Sequence, residues 1–399
     1  MLYIDDEYER TFRENKTAHQ IKLAKELKSN GFNYENYSSL QPTEGNRISA
    51  SSGLFFVRVD DGKPSKKTGK QVCDSVYLKP FFEEIKNNAK CSYKTIYNDL
   101  VKKDNYIPRY ISVLVKDCHA QTVGIKSEIF GSRVANILHI PTNYAFGIEY
   151  KDKITKENIF GEKEKYFALG SVDYISNGHN IELFYENDNW TKASKGELFD
   201  KNNKPITFEH VKGSRPKDEA SLDKWIPYIK DCLHNRYPEG IDEDSYNKLM
   251  HDFVRSYLFR VTLFRDTDFA HYNSGIITLD GSNKFEMMPN TDMEGILRGM
   301  NYIGTRSYEA GIKANIRKAI NYCRRNCPEI LAEFICDLDN AHKEGKIEAV
   351  LSELYPKTNI TKALYDNVNR DIGFMIDCSR RPVVLFGLAS AKQKSELEL

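Results

Sequence analysis

The 399-residue chain has no pair of cysteines at CxxC spacing and no excess of charge of either sign. It also has no apolar run approaching the ~20 residues that cross a bilayer. Each absence removes a class of protein. Eight cysteines, at 73, 91, 118, 232, 323, 327, 336 and 378, are scattered along the chain, which favours reduced thiols over a disulfide framework. Cys323, Cys327 and Cys336, with His342 nearby, invite a metal reading. Structural zinc sites show tighter paired spacing, so these cysteines are expected on helix faces. With 58 basic side chains against 57 acidic ones, no global field recruits nucleic acid or a membrane, and any such contact must be a local patch. The opening residues, Met1-Leu2-Tyr3-Ile4-Asp5-Asp6-Glu7, have neither the basic start nor the apolar centre of a signal peptide. The expectation is a cytoplasmic protein without a membrane partner, although the non-cleaved signals of injected effectors stay open. Finally, there is no G-x-S-x-G, H-E-x-x-H or Walker lysine motif, so the usual nucleophile, zinc-protease and P-loop chemistries have no anchor.

What is present concentrates at 265–295. Two short apolar runs, Ile276-Ile277-Thr278-Leu279 and Lys284-Phe285-Glu286-Met287-Met288, flank Asp280-Gly281-Ser282-Asn283 and predict a β-hairpin. Before it stand Asp266, Asp268 and Asn273, and after it Pro289-Asn290-Thr291-Asp292. Three of these side chains, Asp268, Asn273 and Asp292, can therefore converge at the base of the hairpin, the layout with which kinases orient an acceptor hydroxyl and hold Mg²⁺. The preceding 246–264 carries Leu249, Met250, Phe253, Val254, Tyr257, Leu258, Val261 and Phe264 at helical period and predicts a buried scaffold helix.

Upstream, 17–29 predicts a helix closed by Asn30-Gly31. Small residues at 46–53 lead into an apolar strand, and Ser51-Ser52-Gly53 form either a phosphate-cradling loop or an ordinary turn. Residues 63–70 form a basic loop read as a solvated hairpin tip. Helices are predicted at 77–88 and 92–103, as a helix-turn-helix whose Lys90, Lys94, Lys102 and Lys103 meet DNA or as two helices packed into a larger lobe. Residues 110–116 predict a strand ending in Lys116. An irregular stretch with Gly124 follows, then a helix over 127–139 with Glu128 near its start and Gly131 and Ala135 allowing close approach to a sheet. Strands follow at 143–150 and 166–172, a polar loop spans 187–224, and helices are predicted at 307–324, 328–343, 347–354 and 361–375.

In the order strand Lys116, helix Glu128, loop Asp268 and Asn273, and post-hairpin Asp292, the chain resembles the HipA-like serine/threonine kinases, including the CtkA-type secreted members. The similarity covers roughly 110–300. It is carried by Asp268 to Gly275 with Phe285 to Asp292, and by Val115-Lys116 followed by Ser127-Glu128. The resemblance implies that Lys116 binds ATP phosphates and Glu128 orients it. It makes Asp268 the catalytic residue, with Asp266 the alternative, and Asn273 and Asp292 ligands of Mg²⁺ or, in its place, Mn²⁺. Where the family has a basic residue and His after the catalytic Asp, this chain has Phe269 and Ala270, with His271 displaced by one.

The fold class expected is α+β and bilobal. An N-terminal extension (1–45) precedes an N-lobe with an antiparallel sheet (46–172, helical insertion at about 77–103). A mainly helical C-lobe (173–391) with the hairpin and a tail (392–399) complete the chain. The function expected is an ATP- and Mg²⁺-dependent protein serine/threonine kinase of toxin or effector type, with a protein substrate and an antitoxin or host partner. The alternatives are a degenerate kinase-like regulator binding DNA or protein through 77–103, or a lipid or small-molecule kinase.

Overall fold

The computed structural model describes residues 18–32, 34–38, 52–58, 75–93, 110–117, 122–151, 165–172, 180–183, 221–266, 269, 274–278, 284–297, 306–359 and 361–381. It is an α+β chain. Helix α1 (Ala18–Ser29) is followed by strands β1 (Tyr34–Ser38) and β2 (Ser52–Arg58), helix α2 (Lys79–Asn87), strand β3 (Tyr110–Asp117) and helix α3 (Thr122–Ile137). Strands β4 (Ala145–Glu149), β5 (Tyr166–Val172) and β6 (Asn180–Leu183) lead to helices α4 (Leu222–Arg236) and α5 (Glu243–Tyr257). A π-helical segment (Leu258–Leu263) continues α5, then come strands β7 (Gly275–Thr278) and β8 (Phe285–Met287). Helices α6 (Arg306–Asn326), α7 (Pro328–Lys343), α8 (Lys346–Leu354) and α9 (Lys362–Arg380) end the described chain.

The first five strands form one antiparallel sheet in the order β1-β2-β3-β5-β4. Side chains alternate across a strand. On β3, Val113 and Val115 are fully buried in the core that α1 and α2 build on one face. Lys116 consequently points to the other face, where α3 lies. On that face Ile125, Ile129, Phe130 and Val134 of α3 join Ala145 and Leu169 in a second core, shared with the C-terminal helices. Both faces of the sheet are thus covered, which is why β5 is buried along its whole length. A second antiparallel sheet, β6-β7-β8, contains the expected hairpin, with Ile276 opposite Met287 and Thr278 opposite Phe285. The turn at 279–283 lies outside the described residues.

Several expectations need correction. The helix expected from Ser127 begins at Thr122, so Gly124 is helical rather than irregular. A Cβ there would come within 3.0 Å of the Glu294 carboxylate, which explains a glycine in the first turn. Residues 222–224 belong to α4 rather than to a polar loop, despite Pro227 inside it; Leu222, Trp225, Ile229 and Leu233 are buried on one face. Strand β6 was not anticipated. The single scaffold helix is α5 running into the π-helical segment, where Phe264 N–H reaches Phe259 O at 3.3 Å. Such a segment shifts the later side chains by part of a turn. Of the predicted helix pair at 77–103, α2 buries Phe81, Phe82 and Ile85, and the turn after it buries Cys91, Ser92 and Tyr93. Ser92 N–H donates to Asn136 Oδ1 at 2.8 Å on α3. The described part is therefore packed into the sheet core; the second helix and Lys94, Lys102 and Lys103 lie outside the described residues.

Candidate functional site

Lys116 and Asp292 are 176 residues apart in sequence, yet Lys116 Nζ donates to Asp292 Oδ1 at 2.6 Å. Glu294 Oε1 stands 3.6 Å from the same ammonium. Two things make this meeting possible. Alternation along β3 aims Lys116 at α3, and the segment after β8 is stitched beneath it. Asn290 is fully buried; its N–H and Nδ2 both donate to Pro141 O, at 2.9 and 2.8 Å, and its O accepts Asn143 N–H at 3.0 Å. The backbone between α3 and β4 thereby fixes where residues 290–292 run.

Glu128 is buried in the second turn of α3 rather than near its start, and its Oε2 accepts the Met293 backbone N–H. The expected direct Lys116–Glu128 pair is replaced by this arrangement. Glu128 holds the chain that carries Asp292, while Asp292 and Glu294 contact the lysine. Gly131, one turn later on α3, packs against the same turn: a Cβ would meet Ile296 Cδ1 at 2.8 Å and Met293 Cβ at 2.9 Å. Gly131 thus allows close approach to this turn rather than to the sheet.

Arg260, in the π-helical segment, is fully buried and had no sequence signal beyond a charge inside an apolar stripe. Its Nε donates to Asp266 Oδ2 at 2.6 Å, and its Nη1 and Nη2 donate to Thr291 O and Asp292 O, each at 3.0 Å. Its guanidinium lies 5.3 Å from the centre of the Phe269 ring. One planar fork therefore joins three parts of the site. Asp292 itself has φ +54°, a left-handed conformation that costs a non-glycine residue roughly 1–2 kcal/mol. The bonds from Arg260 and Glu128 on either side of its peptide hold it there.

Electrostatics follow from this crowding. Burial works against the Lys116 ammonium, but Asp292, then Glu128 and Glu294, outweigh it and hold its pKa above the ordinary lysine value. Burial first, and then the Asp292 charge, push the Glu128 carboxyl up to about 8, with Lys116 and Arg260 pulling the other way. The ammonium is a fixed cation with two competing carboxylates, which suits it to exchange them for other oxyanions.

Asp266, the alternative catalytic residue, is 1% exposed and ion-paired with Arg260. A Cβ on Gly295 would sit 2.5 Å from its Oδ1. That placement makes it a structural anchor, because its carboxylate is enclosed by protein. Phe269 is also fully buried, against Phe253 and Tyr257 at ring distances of 5.5 and 6.2 Å, and its O accepts the Ser274 hydroxyl at 2.8 Å. The residue that departs from the family pattern is thus a core residue. Asp268 and Asn273 lie outside the described residues. So does Ser51, while Ser52 and Gly53 pair in the ladder opposite Lys116 and Val115. Those two residues are strand rather than a loop, so their backbone runs beside Lys116 instead of forming a cradle.

No protein family model and no curated protein matches the chain. Among solved structures it is similar to the Helicobacter pylori proinflammatory kinase CtkA, at 13% identity and a TM-score of 0.42, over 74% of this chain and 91% of that one. A likeness that remote assigns no role to any residue.

The donor set itself can be tested against a cation. Among the described residues no three His, Cys, Asp or Glu side chains are grouped as a metal site. Mg²⁺ does not demand one: it is commonly held by one or two carboxylates together with phosphate oxygens and water. Asp292, its side chain 34% exposed beside Lys116, fits that mode. Residues sequence reasoning missed are Arg260, Asn290, Glu294 and Gly295. Asn290 and Glu294 flank Asp292 at two residues on either side, and that proximity was the available signal.

Proposed function

We propose that the chain is an ATP- and Mg²⁺-dependent phosphotransferase, a bilobal protein serine/threonine kinase of the HipA-like kind. The observation that carries this reading is the 2.6 Å Lys116–Asp292 contact with Glu128 fastening the neighbouring Met293 N–H. A strand lysine meets a post-hairpin aspartate 176 residues away, and a helix glutamate holds the residue next to that aspartate.

In this reading Lys116 binds phosphate oxygens, releasing its carboxylate partners. Asp292 and Asn273 would hold the divalent cation, and Asp268 would orient the acceptor hydroxyl. Bound Mg²⁺ neutralises charge on the phosphates; the protein supplies position and electrostatics rather than a covalent nucleophile. Glu128 acts by keeping the Asp292 backbone in place, a role that differs from gripping the lysine. The acceptor is a protein hydroxyl, and an antitoxin or host protein is the partner class the resemblance supplies. Nothing in the packing of α2 favours the DNA-binding alternative.

The test is transfer of radiolabelled phosphate from ATP with Mg²⁺ by wild type, Lys116→Ala, Asp268→Ala and Asp292→Ala. Each variant is expected to lose at least ~100-fold of the rate, the scale of a charged group acting on the transferring phosphoryl. Transfer that survives all three substitutions sinks the assignment.

A further inference from the structure

A groove of about 410 Å³ lies between the start of α4, the π-helical segment and α6, and it reaches Arg265 and Asp266. Its volume is within the roughly 300–1,000 Å³ range of ligand sites. The floor is apolar, with Val261 and Ala319. One wall is a face of α6 on which Asn315, Lys318, Tyr322 and Arg325 recur at helical spacing. Lys318 and Arg325 are exposed, and neither forms an ion pair within 4 Å among the described residues. Arg265, which already has a bonding partner, lies at the inner end. Against these stand two carboxylates: Asp266, already paired with Arg260, and Asp223. A hydrogen bond from Ser221, and further down the charge of Lys318, hold Asp223 below the usual aspartate range. The groove is therefore an apolar trough with a cationic rim.

From Asn315 to Arg325 the α6 wall runs for roughly 15 Å at 1.5 Å per residue. That is the span of four or five residues of extended chain at about 3.3 Å each. Because Asn315, Lys318 and Arg325 on this wall are exposed, an extended chain can lie along it. The inner end is Arg265-Asp266, and Asp268 follows two residues later. A segment in the groove therefore ends beside residues that, in the chain, come just before the one proposed to orient the acceptor hydroxyl.

We propose that this groove binds an acidic segment of the acceptor protein, so that hydroxyls flanked by Asp or Glu are the preferred substrates. The proposal rests on the phosphotransferase reading for its link to the reaction, but the binding it claims is measurable without any reaction.

The experiment uses the full chain and three fluorescein-labelled probes: a serine peptide with Glu on both sides, the same peptide with Lys in place of Glu, and a short single-stranded oligonucleotide. Anisotropy titrations compare wild type with Lys318→Glu/Arg325→Glu, both surface changes, with unfolding midpoints as the control for folding. Wild type should bind the acidic peptide roughly tenfold or more tightly than the basic one, and the double variant should invert that order. Equal affinity of wild type for the two peptides overturns the proposal. So does an acidic-peptide affinity untouched by the double reversal, or tighter binding of the oligonucleotide than of the acidic peptide. Phosphate transfer to the same peptides is read separately. Binding that obeys the prediction without any transfer upholds the groove as an acidic-peptide site and removes the kinase reading. Transfer without any peptide preference removes the groove and leaves the kinase reading standing.

Discussion

Replacing Arg260 by Met should destabilise the protein more than any single change in the helical core. The side chain is fully buried, and its Nε and Nη2 hold Asp266, itself 1% exposed, at 2.6 and 2.5 Å. Removing it leaves a carboxylate in protein without a counter-charge, which costs about 3–5 kcal/mol. The carbonyls of Thr291 and Asp292 lose charged donors as well; they are partly buried, so each adds less than the roughly 1–3 kcal/mol of a fully enclosed group. A loss of about 4 kcal/mol or more is expected. The companion variant is Arg260→Met/Asp266→Asn, which removes the stranded charge while keeping the shape that the close approach of Gly295 requires. It should regain at least ~2 kcal/mol of what the single change lost, because the stranded charge is the largest part of the cost. Urea unfolding followed by tryptophan emission is a suitable assay, since Trp225 is fully buried 6.3 Å from the Phe253 ring in the same core. A single variant within ~1 kcal/mol of wild type, or a double variant no more stable than the single, would refute the reasoning that Asp266 is held by this pair.

Further changes probe other contacts. Gly131→Ala places a Cβ 2.9 Å from Met293 Cβ and should cost about 1–3 kcal/mol. Gly311→Ala on α6, where nothing lies within 4 Å, should instead gain about 0.5–1 kcal/mol. Urea midpoints moving the same way for both would contradict the packing described. His251 lies between Asp252 and Glu333, each 2.9 Å away, and its pKa is raised above 6.5, first by the Asp252 hydrogen bond against the opposing effect of burial. A raised folded-state pKa means that its stabilisation is fully present below pH 6.5 and is lost as pH climbs through the higher folded value. Thermal midpoints should therefore fall across that window in wild type and flatten in His251→Gln; parallel profiles would show that the imidazole is not the titrating group.

Much of the architecture was legible because local chemistry dictates it. Helix α7 begins at Pro328 and ends at Lys343 as periodicity predicts, and β5 spans Tyr166–Val172, a mainly apolar run with Ser171 its one hydroxyl among aliphatic and aromatic neighbours. The hairpin follows from its two apolar runs. Local rules failed where a distant partner replaced a local signal. Gly124 stands inside a helix where the Glu294 side chain crowds any Cβ, and α4 tolerates Pro227 because Trp225 and Ile229 bury its face. The π-helical segment has no signature in an unbroken apolar period.

For the candidate site, residue order along the chain and the resemblance it carries pointed to Lys116, Glu128 and Asp292 together with Asp268 and Asn273, since phosphate chemistry needs a cation and carboxylates and little else. Which of them touch was decided by tertiary structure. The sheet register aims Lys116, the Asn290 bonds to Pro141 set the path of the following residues, and the resulting contact is lysine to aspartate, with glutamate turned to the backbone. The resemblance made Asp268 the catalytic candidate and Asp266 its alternative, and two aspartates two residues apart carry much the same local information. Burial against Arg260 encloses Asp266, while Asp268 lies outside the described residues. A charge enclosed by protein needs a fixed partner, and whether that partner is near depends on where a helix ends in space, a property no stretch of the chain carries alone.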